Sequence, residues 1–341
     1  MRRLGRWLVM GLVTALALGG IDVAAPSGPP AALAADPVVI RAISAWPADC
    51  NCVVQYKRYI EEINKLGKGK IEIKYLGGPE VVKPFEQLQA LRSGLADMTH
   101  SAGDYYVGET IEGAVLAMLD PTDLDKYVKG VRAGRDLVNQ AYREKSGVRL
   151  LGITVGGTGF RFMMAKPISS LDDLKGKRIR VFGTQGAKAA QYFGASPQTI
   201  PAHELYPALQ KGVVDGAIRA PDDAWSFGER DVYKSMIGTP MQFAPGSTYI
   251  AIRIWDKLPP DVQKLLASTS EELEPHVLKY FHESDQKSIE NLKAKGMQIV
   301  EVDAAAKKRL AEARLLYWED VVAKSPKYGA QLRAILEPYS K

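Results

Sequence analysis

Three arginines sit in apolar company. Arg161 lies between Phe160 and Phe162, Arg180 lies between Ile179 and Val181, and Arg219 follows the run Asp-Gly-Ala-Ile. Each falls at or near the end of a predicted strand. In parallel α/β sheets, ligands bind just beyond the carboxyl ends of the strands. A guanidinium also matches a carboxylate with two parallel hydrogen bonds. The chemistry these residues suggest is capture of an anion. One such arginine is more often a surface group or half of an internal ion pair; three in one region shift the balance toward a ligand. Aromatic residues could shape the rest of a pocket. Trp46 lies beyond the first predicted strand, Tyr105 and Tyr106 beyond the third, and Trp225 beyond Arg219. Each taken alone is as readily a core residue.

Other chemistries find little support. No Gly-x-Ser-x-Gly, phosphate-binding loop or His-Glu-x-x-His is present, and Gly183–Gly186 is too short for a dinucleotide fingerprint. His203 and Glu204 are adjacent but no nucleophile is placed with them, and the pairs Asp172–Asp173 and Asp222–Asp223 suit solvated turns. The expectation is a protein that is not an enzyme and carries no cofactor. Four histidines, none at His-x-x-x-His spacing, give no metal site. Cys50 and Cys52 are separated only by Asn51; a bridge at this spacing is expected to be strained against the usual Cα separation, so both read as structural or incidental. The formal charge of +6 suits an anionic small ligand, while the scattered lysines form no stripe of the kind nucleic acid requires.

These residues need a scaffold. Val38–Ser44 reads as a strand, Cys52–Leu66 as a helix with Val53, Tyr56, Tyr59, Ile60 and Ile63 on one face, and Ile71–Tyr75 as a second strand. A helix over Pro84–Ser93 and a strand over Ala96–Ser101 complete a strand–helix–strand–helix–strand unit, which implies parallel pairing with helices on both faces. A second region repeats the theme: strands at Leu150–Val155, Arg161–Ala165, around Ile179 and at Gly216–Ala220, with helices at Lys188–Phe193 and Pro201–Gln210. The segments Ala90–Asp97 and Ala208–Asp215 share the pattern Ala-Leu-x-x-Gly-x-x-Asp, in which glycine closes a helix before a strand. That echo hints at two related lobes. Pro259 and Pro260 open a long helix reaching about Lys295, bent by Pro275.

The amino terminus has its own signature. Arg2, Arg3 and Arg6 precede an apolar run from Trp7 to Ile21, then prolines and Ala32–Ala35. This is a secretory signal pattern with cleavage expected near Ala35, and the apolar run is too short for a membrane anchor.

The stretch from Gly159 to Leu266 closely resembles the solute-binding proteins of tripartite ATP-independent periplasmic (TRAP) transporters, the DctP-like family. The matching blocks are GFRFMMAKPISSLDDLKGKRIRVFG, YFGASPQTIPAHELYPALQKGVVDG and WDKLPPDVQKLL, preceded by EQLQALRSGLADM. The resemblance implies a two-lobed α/β binding protein of the Venus-flytrap kind with a long helix bridging the lobes. It also implies discontinuous lobes: residues 36–157 with about 245–284, and 158–244 with about 285–341. It places the ligand's carboxylate on Arg180, with Arg161 assisting. Where family members often carry asparagine, this chain has Arg219, which implies either a second negative group on the ligand or an internal pair with Asp222 or Asp223. The expected function is periplasmic capture of an organic acid and its delivery to TRAP membrane permease subunits. An exported enzyme using the same cleft, or a binding protein serving a sensor, are the alternatives.

Overall fold

The computed structural model describes residues 37–156 and 159–340. The expected signal segment, with its expected cleavage near Ala35, lies outside them. The strands are β1 (Val38–Ser44), β2 (Ile71–Gly77), β3 (Met98–Ala102), β4 (Val148–Val155), β5 (Gly159–Met164), β6 (Arg178–Val181), β7 (Ser196–Thr199), β8 (Gly216–Arg219), β9 (Ser235–Ile237), β10 (Gln242–Phe243), β11 (Gly246–Ala251) and β12 (Gln298–Val300). The α-helices are α1 (Asn51–Leu66), α2 (Gln87–Ser93), α3 (Leu124–Ser146), α4 (Thr184–Tyr192), α5 (Leu205–Gln210), α6 (Pro221–Ser226), α7 (Ile252–Trp255), α8 (Pro260–Ala294), α9 (Ala304–Leu315), α10 (Tyr317–Lys324) and α11 (Gly329–Leu336).

Two mixed sheets result, one in each of two α/β lobes. The first has the order β2-β1-β3-β11-β4. The expected parallel unit is present: β1 pairs in parallel with both β2 and β3. The antiparallel strand β11 then inserts between β3 and β4. The second sheet has the order β12-β9-β5-β8-β6-β7, with β10 beside β5. Here β6 lies parallel to β7 and β8, whereas β5 runs antiparallel to β8.

Local chemistry explains the elements that matter most. The stripe foreseen on α1 is buried at Val53, Tyr56, Tyr59, Ile60 and Ile63, and the helix stops at Gly67. Ile40 and Ile43 of β1 are fully buried; each contributes about 1.5–3 kcal/mol through apolar burial. The long helix α8 carries Pro275 inside it. At 1.5 Å per residue it extends roughly 50 Å, and it packs on β4 and α1 of the first lobe and on α6 of the second.

The repeated sequence pattern has a structural counterpart. Gly94 and Gly212 both adopt positive φ, at 81° and 65°, a region glycine enters at little cost. The aspartate that follows each does the same task. Asp97 takes the backbone N–H of Arg41 and both ends of its guanidinium, at 2.8–3.0 Å. Asp215 takes the equivalent three groups of Arg178, at 2.7–3.1 Å. Arg41 is on β1 and Arg178 on β6, so each sheet is latched to its incoming strand by one arginine–aspartate fork.

Candidate functional site

Arg180 and Arg219 sit on the parallel strands β6 and β8, near their carboxyl ends. β5 is antiparallel, so Arg161 near its start reaches the same edge and stands in register with Arg219. The three arginines are therefore brought to one sheet edge, as strand-end ligand chemistry requires. Their surroundings divide them.

Arg180 is 1% exposed. Its Nε donates to the Ile200 carbonyl at 2.8 Å, and its guanidinium lies 5.2 Å from the centre of the Phe182 ring. Nη1 is buried without a hydrogen-bond partner, and no carboxylate pairs with the residue among those described. Burial lowers its pKa, and the neighbouring Arg219 lowers it further. A buried cation without a counter-charge is costly. Arg314, also buried without a carboxylate, shows the contrast: its two Nη atoms reach the carbonyls of Met241 and Ser340.

Arg219 is internally balanced. Glu229 takes its Nε at 2.9 Å and Nη2 at 2.7 Å, and Asp223 takes Nη1 at 3.2 Å. Phe227 lies against the guanidinium at 4.6 Å. Burial opposes the charge of Arg219, but Glu229 and Asp223 outweigh this and hold its pKa above the ordinary value. Of the two partners expected from sequence, Asp223 pairs with Arg219 while Asp222 is taken by Asn51 and Ser284. Glu229 was not foreseen. It sits in a single 3₁₀ turn behind Gly228, whose φ is 78°, so no periodic pattern marks it as facing inward.

Arg161 faces elsewhere. Its Nη1 donates to Asp285 of α8 at 3.1 Å and to the Gly159 carbonyl, and its Nε to the Gly238 carbonyl at 3.1 Å. Asp285 also accepts from the backbone of Gly159 and Asp222. The pair ties β5 and α6 to the long helix.

A cavity lies beyond the strand ends, walled from both lobes. The first lobe contributes Trp46, Cys52, Tyr105 and Gly246; the second contributes Phe160, Phe182, Arg180, Arg219 and Asp223. Of the aromatic candidates, Trp46 and Tyr105 line this cavity. Trp225 does not: it packs on the outer core of the second lobe, capped by the Arg230 guanidinium at 5.1 Å. Tyr106 is also a core residue, donating to Ser101 at 2.6 Å. The lobes meet over the site, with the Tyr105 and Phe182 rings 6.4 Å apart.

Cys50 and Cys52 are joined in a disulfide. The Cα separation that the sequence spacing put in doubt is reached because Cys50 is the extended cap residue before α1 (φ −69°, ψ 148°), and its Cα stands 5.4 Å from that of Cys52. That spacing is ordinary for a disulfide.

Two α/β lobes meet over a cavity that holds a buried arginine with no carboxylate partner among the described residues, an arrangement suited to binding a solute. The chain belongs to the bacterial extracellular solute-binding proteins, family 7, whose family model matches residues 44–325. These are the TRAP-transporter solute receptors that the sequence blocks resemble. Among curated relatives, it is 23% identical over 276 residues to a monocarboxylate 2-oxoacid-binding periplasmic protein of Nostoc, covering 76% of this chain and 72% of that one. It is 24% identical to a C4-dicarboxylate-binding periplasmic protein of Rhodobacter capsulatus, covering 77% and 79%. Among solved structures, a TRAP solute-binding protein of Desulfovibrio salexigens with bound orotic acid superposes with a TM-score of 0.81 at 20% identity, covering 89% and 98% of the two chains.

Proposed function

We propose that this protein captures an organic acid anion in the periplasm, its carboxylate held by Arg180, and delivers it to the membrane subunits of a TRAP transporter. The observation that carries this reading is the buried Arg180 with Nη1 unpartnered at the cavity. A ligand carboxylate supplies the missing counter-charge and acceptors. Trp46 and Tyr105 of the first lobe and Phe182 of the second cover the apolar part of the ligand, so only a closed arrangement makes contacts from both sides, and the ligand selects it. The lobes divide at 36–157 with about 245–284, against 158–244 with about 285–341. The amino-terminal signal directs export and is removed near Ala35; no helix among the described residues is long and apolar enough to cross a membrane. The binding proteins of this family act by capture and release, and no catalytic step is assigned.

The test is calorimetry with the acid released from the purified protein on denaturation and identified by mass spectrometry. Truncating one partner of a buried charge pair costs about 2–5 kcal/mol, so Arg180→Ala is expected to weaken binding at least about thirtyfold. A folded variant with unchanged affinity would overturn the assignment of Arg180.

A further inference from the structure

We infer that the ligand carries a single negative charge and a hydrogen-bond donor at its far end, because the second arginine of the cavity is neutralised from behind by Glu229 and Asp223. The inference rests on the carboxylate reading of Arg180 and refines it. The charged groups at the cavity are Arg180, Arg219 and Asp223, with Glu229 fully buried behind Arg219. Two guanidiniums thus face two carboxylates. The unfilled capacity is asymmetric. On one side stands Arg180 Nη1, a donor without an acceptor. On the other stands Asp223: its Oδ2 takes Arg219, and no hydrogen bond reaches its Oδ1 among the described residues.

A ligand complementary to this pair presents an anionic acceptor to Arg180 and an N–H or O–H donor to Asp223. Burial raises the Asp223 pKa only to about 6, against the pull of Arg219, so at neutral pH it is an anion. A second carboxylate on the ligand would meet that anion in a poorly solvated site. Such like-charge juxtaposition is how binding sites reject a near relative of their ligand. The arginine at position 219 alone would suggest a dicarboxylate site; Glu229 removes that cation from the ligand's reach.

The experiment uses three four-carbon probes at pH 7.5: 4-hydroxybutanoate, butanoate and succinate, titrated by calorimetry and thermal shift into wild type, Glu229→Gln and Asp223→Asn. In wild type, 4-hydroxybutanoate is expected to bind at least tenfold tighter than succinate and tighter than butanoate. Glu229→Gln frees Arg219, and Asp223→Asn removes the anion facing the ligand; each should shift the ratio toward succinate at least tenfold. Asp223→Asn leaves the Arg219–Glu229 fork intact, so it serves if Glu229→Gln does not fold. Succinate binding wild type as tightly as the hydroxy acid, or a ratio unmoved in both folded variants, overturns the inference while leaving the carboxylate reading standing. If no probe binds and the acid released from the protein is indifferent to Arg180→Ala, the carboxylate reading itself falls, and this inference with it.

Discussion

Arg161 donates to a buried aspartate at 3.1 Å, while Arg180 ends on a nitrogen without a partner. The two are the same residue type on one sheet edge, yet removing them should have opposite effects on the empty protein. Arg161→Met leaves Asp285 buried as an uncompensated carboxylate, with its side chain 2% exposed. Breaking such a pair costs about 3–5 kcal/mol. Arg180→Met removes an uncompensated cation and leaves apolar contact with Phe182, so the ligand-free protein should melt at the same or a higher temperature while binding is lost. Thermal melts of both variants without ligand check this; equal destabilisation of both would show that Arg180 is a structural residue. The sequence brought Arg161 and Arg180 forward together because strand-end position is visible in it. Their separation depends on Asp285, 124 positions away in sequence, which no local pattern reveals.

At the scale of elements, β1 and α1 were legible because their apolar spacing matches the strand and helix periods over many residues. The short strand β7 was missed because Ser196–Thr199 is neither apolar nor buried. The antiparallel insertion of β11 was not foreseen either, since its neighbours β3 (Met98–Ala102) and β4 (Val148–Val155) lie far earlier in the chain than Gly246–Ala251. That insertion has a consequence at Gly246, the first residue of β11. A Cβ there would stand 2.9 Å from Val155 Cβ, 3.1 Å from the Trp46 ring and 3.2 Å from the His100 ring. Gly246→Ala should therefore push Trp46 into the cavity and weaken ligand binding, with an overpacking cost of about 1–3 kcal/mol. Calorimetry showing unchanged affinity would mean that the ring moves away from the ligand. The disulfide at the start of α1 predicts a smaller effect. It closes a very short loop, for which the chain-entropy relation gives under about 2 kcal/mol. The Cys50→Ser, Cys52→Ser variant should stay folded with a modest loss of melting temperature, and a loss of several kcal/mol in chemical denaturation would contradict this.

The whole molecule depends on how closely the two lobes approach, and Asp104 stands at that contact. It follows β3 of the first sheet, and a Cβ at Gly183, just beyond β6 of the second, would lie 2.9 Å from the Asp104 Cβ and 3.1 Å from its carbonyl oxygen. Asp104 is 3% exposed, and its Oδ1 has no partner. Burial without compensation raises its pKa from 3.8 to about 7. The folded state thus holds a proton that the unfolded chain has already released between about pH 4 and 7, so this group's contribution to stability is greatest below pH 4 and is lost as pH rises through 7. Three units at 1.36 kcal/mol each set an upper limit of roughly 4 kcal/mol. His100 acts in the opposite sense, since burial lowers its pKa to about 3, and Asp223, raised to about 6, acts in the same sense as Asp104. Both are retained in Asp104→Asn, so the difference between that variant and wild type isolates Asp104. Urea denaturation without ligand at pH 4 to 8 should find the variant more stable than wild type at pH 8, with the gap closing as pH falls toward 4. A gap that does not change with pH would show that Asp104 is ionised in the folded protein and that the contact between the lobes is wetter than its burial implies.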